Sequence, residues 1–350
     1  MTDEVLFERR AALGLITLNR PKALNALTRE MCIAMKAALE GWAADERVKT
    51  VVIRGTGERA FCAGGDIRAL YEAGKRDPFS ALDFYRAEYR LNATIKHYPK
   101  PYVALLHGIV MGGGVGVSVH GSHRLTDHSV VFAMPETGIG MFPDVGGSYF
   151  LPRLRGEIGM YVALTGDRLK AADALYSGVA THFVPAQQTE TLVSVLEEGT
   201  NPDLVLQSFA ESPGEAPLAD LRESIDRIFS EGSVEGILAA LDAEGGEWAK
   251  AAAGIIRKKS PISSKITFHQ LREGRNFSFD DCMRMEFRMV SHVMRGHDFY
   301  EGVRATIIDK DGAPQWRPNT LAQISSAAVE EYFRPLGRNE LDLQPSKGER

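Results

Sequence analysis

The sequence predicts an α/β fold whose second half is helical, from three observations. Two short apolar runs, residues 50–54 (TVVIR) and 102–106 (YVALL), have the pattern of strands buried on both faces. Each runs into a glycine-rich exit loop and then into residues at helical spacing. After about Pro185 the strand pattern stops, and Ala, Glu and Leu recur with helical periodicity.

Taken in order, residues 5–9 and 13–19 read as short strands joined by a tight turn, and Arg20-Pro21 breaks the chain. Thr28 suits the N-cap of a helix in which Met31, Met35, Leu39 and Trp42 recur on one face. GTGERAFCAGGD leaves the 50–54 strand as a loop, and helical segments follow at 67–73 and 80–97. The 102–106 strand exits through HGIVMGGG, with a helix beginning inside the glycines. Residues 124–127 and 130–133 read as further strands leading into 133–147, AMPETGIGMFPDVGG. A helical appendage follows at 190–255, broken at Pro202, Pro213 and Pro217, and Ser260-Pro261 opens a second helical region running to about Gly296. The tail from Gly337 is polar and expected to fray. The resulting division is a core at 1–190, a helical insertion at 191–255, a C-terminal helical region at 256–335 and a polar tail at 336–350.

Composition excludes several functions. The 350 residues are 44% hydrophobic and 25% charged, ordinary values for a globular chain with a sizeable core. With a net charge of −5 and no basic run, nucleic acid is not an expected partner. Cys32, Cys62 and Cys282 form no CxxC pair, which argues against a disulfide framework or a zinc ribbon. The N-terminal MTDEVLFERR lacks the apolar segment of a secretory signal. The most apolar stretch, residues 102–119, contains His107 and five glycines, so it reads as strand and turn and no membrane span is expected. The expectation is a soluble, cytoplasmic protein.

The chemistry concentrates in 133–147, where Glu136 and Asp144 stand in a nearly chargeless stretch among Met134, Ile139, Met141 and Phe142. Removing a carboxylate from water costs several kcal/mol on the order-of-magnitude scale, so two in one apolar loop suggest acid–base work. A lone Asp or Glu more often caps a helix or holds a turn; the loops upstream shift the balance. GGGVG at 112–116 misses the GxGxxG spacing and precedes no GK[ST], which leaves a dinucleotide site or P-loop unsupported. Glycines at a helix start do offer unblocked N–H groups, and Gly64-Gly65 offers the same after the other strand. One N–H from each loop aimed at a single oxygen would form an oxyanion hole, worth roughly 3 kcal/mol per donor in the transition state. Ser118 misses the GxSxG elbow by its last residue, and Cys62 reads as core. His120, His123 and His128 match no metal-ligand spacing, so no metal is expected, and His97 and His107 are read as hydrogen-bonded within the fold.

AFCAGGDI, HGIVMGGGVG and PETGIGMFPDVGG, in this order and spacing, resemble the crotonase (enoyl-CoA hydratase/isomerase) superfamily, and RPKALNAL resembles its acyl-CoA-binding strand–turn. SPISSKITFHQL, MRGHDFYEGVRATIIDKD and QWRP extend the likeness to about residue 320 and resemble the 3-hydroxyisobutyryl-CoA hydrolase branch. The resemblance implies a ββα spiral core carrying the helical additions. It places the oxyanion donors on the N–H groups of Gly65 and Gly113, and the adenine and pantetheine loops on Lys22, Ala23, Leu24, Ala63, Asp66 and Ile67. It implies Glu136 and Asp144 as the catalytic pair, with Glu88 of FYRAEYRLN as a further substrate-contacting acid; a solvated helix face is the competing reading for Glu88. Hydratases carry a catalytic glutamate where this chain has Gly116, and usually a glycine where it has Asp144. The implied activity is hydrolysis of a 3-hydroxyacyl-CoA thioester, with 3-hydroxyisobutyryl-CoA in valine breakdown as the substrate. A hydratase or isomerase using the same hole, and a catalytically silent acyl-CoA-binding scaffold, are the alternatives. No prosthetic group is implied, because CoA arrives with the substrate. The superfamily forms trimers and hexamers, so a homo-oligomer is open, although the 190–255 helices stand where such packing would have to be accommodated.

Overall fold

The computed structural model describes residues 3–343. Nine strands among the described residues, eight of them in consecutive pairs, are set apart by helical segments: β1 (Val5–Arg10), β2 (Leu13–Leu18), β3 (Thr50–Gly55), β4 (Ala60–Cys62), β5 (Tyr102–Leu106), β6 (Ile109–Met111), β7 (His123–Thr126), β8 (Val131–Ala133) and β9 (His182–Phe183). They form a six-stranded sheet in the order β1-β2-β3-β5-β7-β9 and a three-stranded sheet in the order β4-β6-β8. β1 and β2 are an antiparallel hairpin; every other pairing between these strands is parallel.

The connectivity is a spiral. Three times the chain lays a strand in the large sheet (β3, β5, β7) and the next, three residues long, in the small sheet (β4, β6, β8). The first turn continues into helices α1's successors, α2 (Ile67–Arg76) and α3 (Pro78–Lys96), where α1 is Arg29–Ala44; the second continues into the short α4 (Gly113–Gly116). Thr28 caps α1 by accepting from Met31 N, as its position implies. Asp66 caps α2, and Asp77 caps α3 ahead of Pro78.

Alternation decides how the large sheet is covered. Leu13, Leu15, Val52, Val103, Leu105 and Leu125 point to one face, where Leu192, Val193, Leu196, Val205 and Leu206 of the next helices cover them. Ile16, Leu18, Val51, Ile53, Ala104 and Leu106 point to the other face and join a core cluster that runs from Val5 to Leu341. The two later helices that matter for the site, Pro261–Gly274 and Phe279–Val293, bury Ile266, Leu271, Met283, Phe287 and Val290 in that same cluster.

Several local expectations change. AFC and IVM, read as loop, are the strands β4 and β6; three residues give too short a run to display a period. Pro202 and Pro217 stand at the first turn of helices rather than ending them, where a missing N–H costs nothing. The tail expected to fray is docked as far as it is described: Leu341 is buried, Glu340 pairs with Arg288 at 3.0 Å, and Arg90 Nε donates to Asp342 O at 2.8 Å. Residues 344–350 of that tail lie outside the described residues. Among the described residues no helix is long and apolar enough to cross a membrane, and residues 102–119 hold β5, β6 and α4 instead.

Candidate active site

The three small-sheet strands are parallel neighbours, so their carboxyl ends deliver three loops to one place. β4 leads to Gly64-Gly65, β6 to Gly112-Gly113, and β8 to the 3₁₀ turn Glu136–Ile139. The two glycine loops meet backbone to backbone. A Cβ on Gly112 would stand 3.3 Å from Gly64 Cα, and one on Gly64 would stand 3.6 Å from Gly113 N. Gly112 has φ 48° and ψ −123°, a conformation open to glycine and costly to other residues.

The bridge between Leu27 and Gly65 uses Gly64 O and Asp66 N, which turns the Gly65 N–H away from Leu27. Gly113 is the first residue of α4, where an N–H has no intrahelical acceptor. Among the described residues neither N–H has a hydrogen-bond acceptor.

Both glycines line a cavity of about 190 Å³ together with Ala63, Ile67, Glu88, Glu136 and Asp144; Phe84, Tyr85, Met141 and Ile307 supply apolar walls. Seven residues singled out from the sequence thus converge. Four do not line it. Lys22 and Ala23 are exposed on the turn Pro21–Ala23, and Leu24 closes that turn with φ 52° while its carbonyl accepts from Ala63 N at 3.0 Å. Asp66 is committed to capping α2 and to Arg20 at 3.1 Å.

The acids are deep. Glu136 and Asp144 are each 6% exposed and Glu88 2%, so Glu88 is no solvated helix face. Oε2 of Glu136 and Oε1 of Glu88 have no hydrogen-bond partner among the described residues. Asp144 accepts from the Tyr89 hydroxyl at 2.9 Å. Burial pushes the Glu136 carboxyl well up, the Asp144 charge adds to this, and Lys259 pulls weakly the other way. Burial lifts Asp144 to about 7 against the pull of the Tyr89 hydrogen bond. Glu88 is raised by burial and then by Asp144 and Glu286. Near neutrality such a group of acids holds both protonated and ionised members, which is what acid–base chemistry needs.

Gly116 explains why a second hydratase-type glutamate is missing. A Cβ there would stand 2.7 Å from both Asn92 Nδ2 and Val145 Cβ. Val145, next to Asp144, is a β-branched residue at φ 52°, and its carbonyl accepts from His120 Nε2 at 2.7 Å. Burial lowers the His120 pKa to about 3, so the ring there is neutral.

Two buried polar residues that hold the 143–148 loop have no signal of this kind in the sequence. Glu286 is fully buried and accepts from Gly146 N at 2.8 Å, Ser148 N at 2.9 Å and the Ser148 hydroxyl. Gln270 Nε2 donates to Pro143 O at 2.7 Å. Nothing in MRMEFR or FHQLRE distinguishes these side chains from polar residues on an exposed helix face.

Elsewhere, Cys62 is buried with its thiol pushed up to about 12, an inert core thiol. His97 pairs with Asp280 and His107 with Gly57 O, each at 2.8 Å. A larger cavity of about 760 Å³ opens at the carboxyl ends of β2, β3, β5 and β7. Its polar groups satisfy one another (Arg54 with Glu190 at 2.9 Å, Ser129 with Asp127), and none of the residues singled out from the sequence except His107 lines it.

Comparison with known proteins agrees with this geometry. The chain is 50% identical over 351 residues to the mitochondrial 3-hydroxyisobutyryl-CoA hydrolase of Danio rerio, covering 97% of this chain and 92% of that one. The Homo sapiens protein of the same name is 45% identical, with 97% and 90% covered. Among solved structures, a carnitinyl-CoA dehydratase from Mycobacterium thermoresistibile superposes with a TM-score of 0.93 at 41% identity, covering 98% and 99% of the two chains. An enoyl-CoA hydratase from Rhodobacter sphaeroides 2.4.1 gives 0.91 at 39%, covering 97% and 100%. The hydrolases are named as mitochondrial, which overturns the cytoplasmic placement expected from the N-terminal residues. The composition of the first residues carries no information on which compartment holds the fold. The enoyl-CoA hydratase/isomerase family matches residues 13–333, and with it the spiral of paired sheets and the converging glycine loops: this chain belongs to the crotonase family.

Proposed function

We propose that this protein hydrolyses 3-hydroxyisobutyryl-CoA to 3-hydroxyisobutyrate and CoA, a step of valine breakdown. The observation that carries the reading is the acid inventory of the cavity. Glu136 and Asp144 line one cavity with Gly65 and Gly113, while the third position at Gly116 is walled off by Asn92 and Val145. Hydration of a C=C bond draws on two carboxylates to hold water and move a proton to carbon, and one of those is missing. Thioester hydrolysis needs a polarised carbonyl, an activated oxygen and an exit for a thiolate.

In this reading the two N–H groups bind the carbonyl oxygen as it gains charge. In its ionised form Glu136 either takes a proton from the attacking water or attacks the carbonyl itself, giving a mixed anhydride that water then opens. The C–S bond breaks, CoA leaves as thiolate and is protonated, and the acyl group ends as a carboxylate. Asp144, poised near neutrality, moves a proton or polarises the 3-hydroxyl, and Glu88 contacts the acyl group. Ala63 and Ile67 on the cavity wall, with Lys22, Ala23, Leu24 and Asp66 on the adjoining turn, take the pantetheine and adenine. The chemistry calls for no prosthetic group. Residues 191–335 serve the 1–190 core rather than a separate activity, and a homo-oligomer of this chain is part of the proposal.

The hydratase reading is kept alive by the names of the two superposable structures. One experiment separates the readings: 3-hydroxyisobutyryl-CoA and crotonyl-CoA are each incubated with the protein while free thiol and enoyl absorbance are followed. Thiol release from the first is expected. Loss of the enoyl signal alone would establish a hydratase, and binding with neither signal a silent acyl-CoA scaffold.

A further inference from the structure

We infer that Glu286 and Gln270 are positioning residues for Asp144, which makes the C-terminal helices part of the catalytic apparatus. The inference rests on Asp144 acting in the reaction proposed above.

Asp144 sits in a loop that would not hold its shape alone. Val145 and Gly146 follow it with φ 52° and 86°, two successive left-handed residues, and the first is β-branched. Such a conformation persists only where the surroundings over-determine it. Two helices from the far end of the chain do this. Gln270 of Pro261–Gly274 donates to the carbonyl immediately before Asp144, at Pro143. Glu286 of Phe279–Val293 takes the N–H groups of Gly146 and Ser148, after it. His120 Nε2 is bonded to the Val145 carbonyl between them.

The choice of a carboxylate at 286 is informative. It is fully buried, no cation pairs with it among the described residues, and all three of its hydrogen bonds go to this one loop. A neutral side chain would fill the volume at less desolvation cost, but its single carbonyl oxygen would not take two N–H groups from separate oxygens as Oε1 and Oε2 do. Neither Glu286 nor Gln270 lines the cavity, so each acts through the loop rather than on substrate.

The test is a double-mutant cycle on the full chain. E286Q keeps size and shape while removing one of the two acceptor oxygens. Its kcat is expected to fall about 10- to 100-fold, the range seen when an outer partner of a catalytic group is lost, with KM for the acyl-CoA within about threefold of wild type. In a D144N background the same change is expected to lower the residual rate by less than about twofold, because its effect passes through Asp144. A merely structural role would lower both backgrounds alike or shift KM with kcat, and would overturn the inference. Q270M, which removes only the bond to Pro143, provides the second reading should E286Q fail to fold; wild-type kcat in Q270M would also overturn it. Turnover is read on whichever signal, thiol or enoyl, the wild-type protein gives. Enoyl turnover without thiol release overturns the proposed hydrolysis alone, whereas equal kcat in variant and wild type overturns the positioning role alone. A wild-type protein giving neither signal overturns both.

Discussion

The fully buried Tyr89 donates its hydroxyl to Oδ2 of Asp144, which lines the cavity, at 2.9 Å. That bond favours the ionised form and works against burial, which together leave Asp144 near 7. Removing the hydroxyl in Tyr89→Phe takes away a stabiliser of the charge, so the Asp144 pKa rises. The limb of the kcat profile that reports Asp144 is expected to move to higher pH, measured across pH 5.5–9 with saturating acyl-CoA. A limb that stays in place, or moves down, would show that Asp144 does not titrate in turnover.

Glu136→Gln tests the other acid. The amide keeps the shape of the side chain but neither accepts a proton from water nor attacks a carbonyl. A loss in kcat of about 10²–10⁴-fold is expected, with acyl-CoA affinity by calorimetry little changed. The same substitution removes a buried carboxylate with one unpartnered oxygen, so its melting temperature at pH 8 is expected to rise. Retained turnover would move the base to another residue.

The cavity acids also predict how stability depends on pH. Glu88 and Glu136 are held well above the ordinary range, and Asp144 goes from 3.8 to about 7. In the unfolded chain all three have lost their protons by pH 6.5, so between 6.5 and 8.5 the folded state binds more protons. Unfolding free energy therefore falls as pH rises through that window. Below it, His120, lowered from 6.5 to about 3, works against the acids, because the unfolded chain protonates it first, and offsets one of their protons. A lower melting temperature at pH 8.5 than at pH 6.5 is expected from scanning calorimetry, and Glu136→Gln should flatten that difference. A flat wild-type profile would mean that the acids are solvated.

How much of this was legible in the sequence depended on how local each constraint is. β3 and β5 lie in the sheet centre, buried on both faces, and read as unbroken apolar runs. β4 and β6 are three residues each, and only their parallel pairing to β8 makes them strands. Glu136 and Asp144 stood out because a glycine- and proline-fixed loop carries little other charge. Glu286 did not: its partners at 146 and 148 are 140 and 138 residues away, and helical periodicity gives no sign of which polar residue faces inward. The docked tail was hidden similarly, since Glu340 gains its partners from α3 and the Phe279–Val293 helix.

Gly116 offers the sharpest test of why this cavity lacks the second hydratase-type acid. If the glycine merely left a gap, restoring a side chain would cost little. Instead a Cβ at that position would meet Asn92 Nδ2 and Val145 Cβ at 2.7 Å, inside ordinary contact distance, and both neighbours are buried. Gly116→Ala is expected to destabilise the fold by about 1–3 kcal/mol, as overpacking of a core does, and Gly116→Glu to gain no crotonyl-CoA hydration. Adding Val145→Gly removes the Cβ that is one of the two clashing groups and relaxes the left-handed residue beside Asp144. The pair Gly116→Ala/Val145→Gly should therefore be more stable than the sum of the single effects, measured by urea unfolding. Strict additivity would mean that Val145 does not fill the space beside Gly116. The strain at Val145 would then have no part in closing that position.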